Sequence, residues 1–92
     1  MIVSFAYKGL EQYYLTGSTA GLQAIHAKRL RLILAVLDAA DSIEGIRLPS
    51  LNLHRLKGKE KDNWAVTVQA NWRITFHFVE SNAEIVNYED YH

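Results

Sequence analysis

An α+β fold, one antiparallel-rich sheet with two N-terminal helices packed on one face, is predicted by the order of two patterns in the sequence. Apolar residues recur at helical spacing up to Asp41, and strand-like segments rich in β-branched and aromatic residues fill the chain from Leu51 to Tyr88. A chain of 92 residues with 49% apolar and 22% charged side chains has surface for one modest core, so residues 1–92 make a single domain.

Ile2 to Ala6 is short, apolar and β-branched at its start, which predicts a first strand. Lys8 to Leu15 suits a short helix with Leu10, Tyr13 and Tyr14 inward at i, i+3 and i+4, and Gly17 stands where a helix stops. Ser18 and Thr19 can cap a long core helix from Ala20 to Asp41, on which Ile25, Leu30, Ile33, Leu34, Leu37 and Ala40 form an apolar stripe. His26, Lys28, Arg29 and Arg31 flank the stripe and read as a solvated border. Ser42 to Leu51, with Gly45 and Pro49, is an irregular connection to a strand around Leu51 to Lys57. Lys57 to Asn63 is polar and reads as a mobile loop; Trp64 to Gln69, Trp72 to Val79 and Ala83 to Tyr88 read as three strands joined by hairpins.

Side-chain parity constrains the first hairpin. A two-residue turn at Ala70-Asn71 would place Val68 on the face of Arg73 and split the core, whereas a three-residue loop from Ala70 to Trp72 pairs Gln69 with Arg73. The second arrangement is the expected one. It puts Val66, Val68, Ile74 and Phe76 against the long helix and leaves Thr67, Gln69, Arg73, Thr75 and His77 on an open face.

Composition narrows the function. No apolar run approaches the roughly 20 residues that span a bilayer, and the start lacks the regions of a signal peptide, so a cytoplasmic protein without membrane association is expected. Without cysteine there is no disulfide, thiol nucleophile or thiolate metal site. Formal net charge is zero, but six basic residues between Ile46 and Arg73 face only Glu60 and Asp62, while Ile74 to His92 has four acids and no Lys or Arg. Such a cluster suits a phosphate-bearing ligand, and equally a solvated loop.

No phosphate-binding glycine loop, nucleophile elbow or His pair with metal spacing is present, so no metal or cofactor is expected. What remains is His54 and Lys57 on one strand, Arg73 on a central strand, and Asp90-Tyr91-His92 at the end of the sequence. That set suits cleavage of RNA by its own 2′-hydroxyl, which needs a base, an acid and positive charge on the phosphate. The histidines can move protons, and Lys57 and Arg73 can offset charge. A strand histidine is also common as a plain surface residue, so the residues alone narrow the chemistry without fixing it.

Leu53-His54-Arg55-Leu56-Lys57-Gly58, then Trp64 to Phe76 with its Asn71-Trp72-Arg73-Ile74-Thr75-Phe76 core, and the ending Asn87 to His92 together resemble the HigB toxins over nearly the whole length. The resemblance implies a RelE-like microbial ribonuclease fold and a toxin of a type II toxin–antitoxin pair. It further implies metal-free cleavage of mRNA in the ribosomal A site, and hence inhibition of translation. His54, Lys57, Arg73, Asp90, Tyr91 and His92 match the family's active-site residues. His92 would transfer a proton, Asp90 and Tyr91 would order the terminus or substrate, and Lys57 and Arg73 would stabilise the phosphate. Arg55, Lys59, Lys61 and Gln69 are expected to contact RNA. Many relatives carry arginine where this chain has Gln69, so weaker catalysis or altered codon preference is expected, with Gln69→Arg raising cleavage. The implied partners are a HigA-type helix-turn-helix antitoxin, the ribosome with its mRNA, and operator DNA only through the antitoxin. Two other readings stay open: a ParE-like inhibitor of DNA gyrase that cuts nothing, and a non-catalytic antitoxin-binding module.

Overall fold

The computed structural model describes residues 1–57 and 63–91. The expected loop beyond Lys57, with Lys59 and Lys61, and His92 lie outside the described residues. Two helices, α1 (Lys8–Thr16) and α2 (Ala27–Ala39), precede four strands, β1 (His54–Arg55), β2 (Asn63–Gln69), β3 (Trp72–Val79) and β4 (Asn82–Asp90). The strands form one antiparallel sheet in the order β1-β2-β3-β4, which makes the fold α+β.

The core lies between the helices and one face of the sheet. Leu10, Leu30, Ile33, Leu37, Ile46, Leu51, Val66, Ile74, Phe76 and Val86 are fully buried there. Each such side chain stabilises the fold by about 1.5–3 kcal/mol through removal from water. Among the described residues no helix is long and apolar enough to cross a membrane.

α1 follows the expected pattern at Leu10 and Tyr13, but Tyr14 is 37% exposed instead of inward. It stops at Gly17, whose φ of 81° lets its N–H turn back to the Tyr13 carbonyl at 2.9 Å. The long helix is shorter than the apolar stripe suggested. Gly21 is pressed against α1, where a Cβ would sit 2.8 Å from the Gly9 Cα, and its carbonyl accepts a hydrogen bond from the Tyr7 hydroxyl. This contact holds the chain out of the helix until a 3₁₀ turn at Ala24–His26 leads into α2. A 3₁₀ turn has three residues per turn, so the helical stripe fails there: Ile25 is 73% exposed and His26 is buried.

The expected first strand is reduced to two parallel bridges, Ile2 to Ala83 and Phe5 to Val86. Between them Ser4 serves a bulge in β4, its Oγ accepting from the Ile85 N–H at 2.8 Å and its carbonyl from the Val86 N–H at 3.1 Å. The strand expected from Leu51 to Lys57 is only His54–Arg55, because Pro49–Leu51 is a 3₁₀ turn and Asn52 takes the left-handed conformation at φ 50°.

The first hairpin corrects the parity argument. Its turn is Ala70-Asn71, with Gln69 opposite Trp72, so the three-residue loop and the Gln69–Arg73 pairing do not occur. The apolar set nevertheless stays together, because a bulge at Val68 inserts one residue between the Thr67–Arg73 and Gln69–Trp72 pairs. Val66 and Ile74 therefore face the helices as expected, while Gln69 is turned to their side of the sheet. Beside the bulge, Arg29 of α2 donates to the Thr67 carbonyl at 2.9 Å and also to the Ser50 carbonyl. Arg29 and His26 are thus structural bonds to the sheet, not a solvated border.

Candidate active site

Alternation along the strands gives the face away from the helices its residues. One transverse row is His54, Ala65, Thr75 and Asn87, and the next is Thr67, Arg73 and Glu89. Ala65 and Thr75 are small and buried, so they floor the centre of this face and the longer side chains stand around it. His54 and Arg73 lie two strands apart and two residues along, about 12 Å between backbones.

Arg73 is held from two sides. Its Nη2 lies 3.6 Å from the Glu89 carboxylate, and its guanidinium carbon stands 4.0 Å from the centre of the Tyr91 ring. Only 18% of the side chain is exposed, and its Nε–H is buried without a hydrogen-bond partner among the described residues. Glu89 is itself oriented by Thr75, whose hydroxyl donates to its other oxygen at 3.3 Å. Tyr91 is fixed through its backbone, its N–H donating to the Asn71 carbonyl at 3.0 Å. The turn between β2 and β3 therefore holds the residue whose ring covers Arg73.

His54 has a defined tautomer. Its Nδ1 lies 3.0 Å from the Asn52 carbonyl, a group that can only accept, so Nδ1 carries the proton and Nε2 of the neutral ring keeps a lone pair. The left-handed backbone of Asn52 aims that carbonyl. An imidazole fixed in this way can take a proton from a hydroxyl brought to Nε2.

The structure brings His54, Arg73 and Tyr91 to one face and turns Asp90 and Arg55 to the other. Asp90 pairs with Trp72 and lines a cavity of about 380 Å³ with Tyr7, Gln23 and Tyr88 on the helix side. Arg55 pairs with Trp64, and its guanidinium lies 5.3 Å from the centre of that ring, with Arg47 at 5.7 Å. Lys57 is exposed just beyond β1. Glu89 was missed by sequence reasoning, although its parity with Arg73 in a paired hairpin was a usable signal.

Gln69 is the clearest displacement. Its Oε1 accepts a hydrogen bond from His26 Nε2 at 2.9 Å, and His26 Nδ1 lies 2.7 Å from the Tyr88 hydroxyl. The Tyr88 oxygen accepts from the Gln23 N–H at 3.3 Å, so its own proton is available to His26 Nδ1. Burial raises the Tyr88 hydroxyl above the ordinary tyrosine value, the Gln23 hydrogen bond pulls it the other way, and Tyr7 adds a smaller upward push. The Trp72 ring stacks on Tyr88 at 4.6 Å and meets His26 edge-on at 5.5 Å.

This arrangement of two helices and a four-stranded sheet can be set beside known proteins. The chain matches the family described as RelE-like toxin of type II toxin–antitoxin system HigB over residues 3–92. It is similar to Endoribonuclease HigB of Proteus vulgaris, with 44% identity over 92 residues that cover all of both chains. The chain therefore belongs to the HigB family of RelE-like toxins of type II toxin–antitoxin systems.

Proposed function

We propose that this toxin is an endoribonuclease that cuts mRNA in the ribosomal A site, without a metal or other cofactor, and so inhibits translation. The observation that carries the reading is the placement of Arg73 and His54 on one open face, with Arg73 fixed by Glu89 and Tyr91. In the reaction a base takes the proton of a substrate 2′-hydroxyl, and the freed oxygen attacks the adjacent phosphorus. The bond to the 5′ oxygen breaks as that oxygen is protonated, leaving a 2′,3′-cyclic phosphate and a 5′-hydroxyl.

His54, with its proton on Nδ1 and its lone pair on Nε2, suits the base, and the family resemblance assigns a proton transfer to His92. Arg73 and Lys57 offset the charge that grows on the phosphate oxygens, which is worth most where the donor is already in place. The zero net charge of the chain fits a substrate positioned by the ribosome more than one drawn in by the toxin's own field. A toxin of this family implies an antitoxin; we propose one of the HigA helix-turn-helix type, through which operator DNA is reached. The site of action is then the cytoplasm.

The test is cleavage of mRNA set in the A site of purified ribosomes, in EDTA. Cutting by the parent that is lost on removing His92 and in Arg73→Met supports the reading. Equal cutting of free RNA removes the ribosome from it, and no cutting turns attention to inhibition of DNA gyrase.

A further inference from the structure

His26 is buried at 3% exposure, and both ring nitrogens are committed. The two partners stand at the ends of the strands that frame the site. Gln69 ends β2 immediately before the Ala70-Asn71 turn, and Tyr88 lies two residues before Asp90 in β4. Between them Trp72, the first residue of β3 and the neighbour of Arg73, packs edge-on against the same imidazole. One turn further along, Arg29 holds the Thr67 carbonyl on the other side of the bulge. The 3₁₀ turn and the first turn of α2 therefore grip the bulge from both sides, at the Gln69 side chain and the Thr67 carbonyl.

That bulge decides the site. It sets the pairing Thr67–Arg73 that keeps Arg73 on the open face, and it delivers the Asn71 carbonyl that binds the Tyr91 N–H. A ladder without the extra residue would turn either Arg73 or the apolar set the wrong way.

We propose that His26 is a positioning residue for the ribonuclease site: through its hydrogen bonds to Gln69 and Tyr88 it fixes the bulge and turn that place Arg73 and Tyr91. The proposal rests on the cleavage reading above for its kinetic part and on geometry alone for the rest. Gln69 is accordingly a support under the site. Gln69→Arg removes the acceptor that fixes the His26 tautomer and puts a longer, charged group against a buried imidazole, so the substitution lowers cleavage, contrary to the expectation from sequence. A carboxylate at position 26 reaches about as far as the imidazole Nε2 and accepts from that arginine, which restores the link.

The experiment measures A-site cleavage and backbone amide exchange in Gln69→Ala, Gln69→Arg, His26→Asn and the double variant His26→Glu with Gln69→Arg. Gln69→Ala is the mildest, since it removes only a side chain at the sheet end. We expect each single variant to lower kcat about tenfold with KM within about twofold, as loss of alignment does. The double variant returns kcat to within about threefold of the parent. In Gln69→Ala the Tyr91 amide exchanges at least about tenfold faster while the Ile74 amide in the core is unchanged. Parental kcat in both Gln69→Ala and His26→Asn overturns the proposal, and so does a double variant no better than Gln69→Arg. Should the parent itself not cut, the cleavage reading fails and the exchange decides alone: an unchanged Tyr91 amide overturns the positioning role.

Discussion

A guanidinium packed against an aromatic ring, with one N–H buried and unpaired among the described residues, is an expensive way to fill the place of Arg73. An apolar side chain of similar length would avoid that cost. Arg73→Met is therefore expected to leave the melting temperature unchanged or higher while lowering A-site cleavage by about a hundredfold or more. A parallel loss of both would make Arg73 a structural residue. Glu89→Gln keeps the hydrogen bond from Thr75 but removes the charge facing Arg73, and a loss of about tenfold in kcat without a change in fold is expected in the same assay. The open-face position of Arg73 was legible from parity, and His54 and Tyr91, named through chemistry and through the family resemblance, stand on that same face. His26 was not, because a histidine on the border of an apolar stripe looks the same whether it turns outward on an α-helix or inward on a 3₁₀ turn. Gln69 was misplaced for a related reason, since a bulge has no signature in alternation until the partner strand is known.

The elements show the same division. β3 and the stop of α1 at Gly17 could be read directly, because an unbroken alternation and a glycine at a helix end each have one common structural meaning. The short first strand and the late start of α2 could not, since both depend on contacts from far along the chain, Ser4 with β4 and Gly21 with Gly9. The β4 bulge carries its own cost. Ile85 has φ 54°, a conformation that a β-branched side chain resists, and the side chain is 50% exposed and has little packing to lose. Ile85→Asn is expected to raise the free energy of unfolding by about 1 kcal/mol, read from the urea midpoint at constant slope. Most substitutions destabilise, so a gain at this position identifies backbone strain; a loss would mean that the exposed isoleucine makes contacts worth more than the strain.

At the scale of the molecule, two helices and one sheet face make a single core, and its stability should respond to alkali through Tyr88. Burial raises that hydroxyl above the ordinary value near 10, so above that pH the folded chain holds a proton that the unfolded chain releases. Stability is then fully present below about pH 10 and falls as pH rises beyond it. Melting temperatures from pH 8 to 11 should decline less steeply in Tyr88→Phe, and equal slopes would show that other groups dominate. The class of fold was legible from the order of helical and alternating segments, but the way the sheet ends was not. On one side it ends in a strand of two residues, and on the other the nine-residue β4 is shielded by residues 1–6 through bonds at Ala83, Ile85 and Val86. A bared β4 would be a template for strand addition by another copy of the chain. Removing residues 1–6 should therefore change the protein's colloidal behaviour before its chemistry, giving association that grows with concentration on size exclusion.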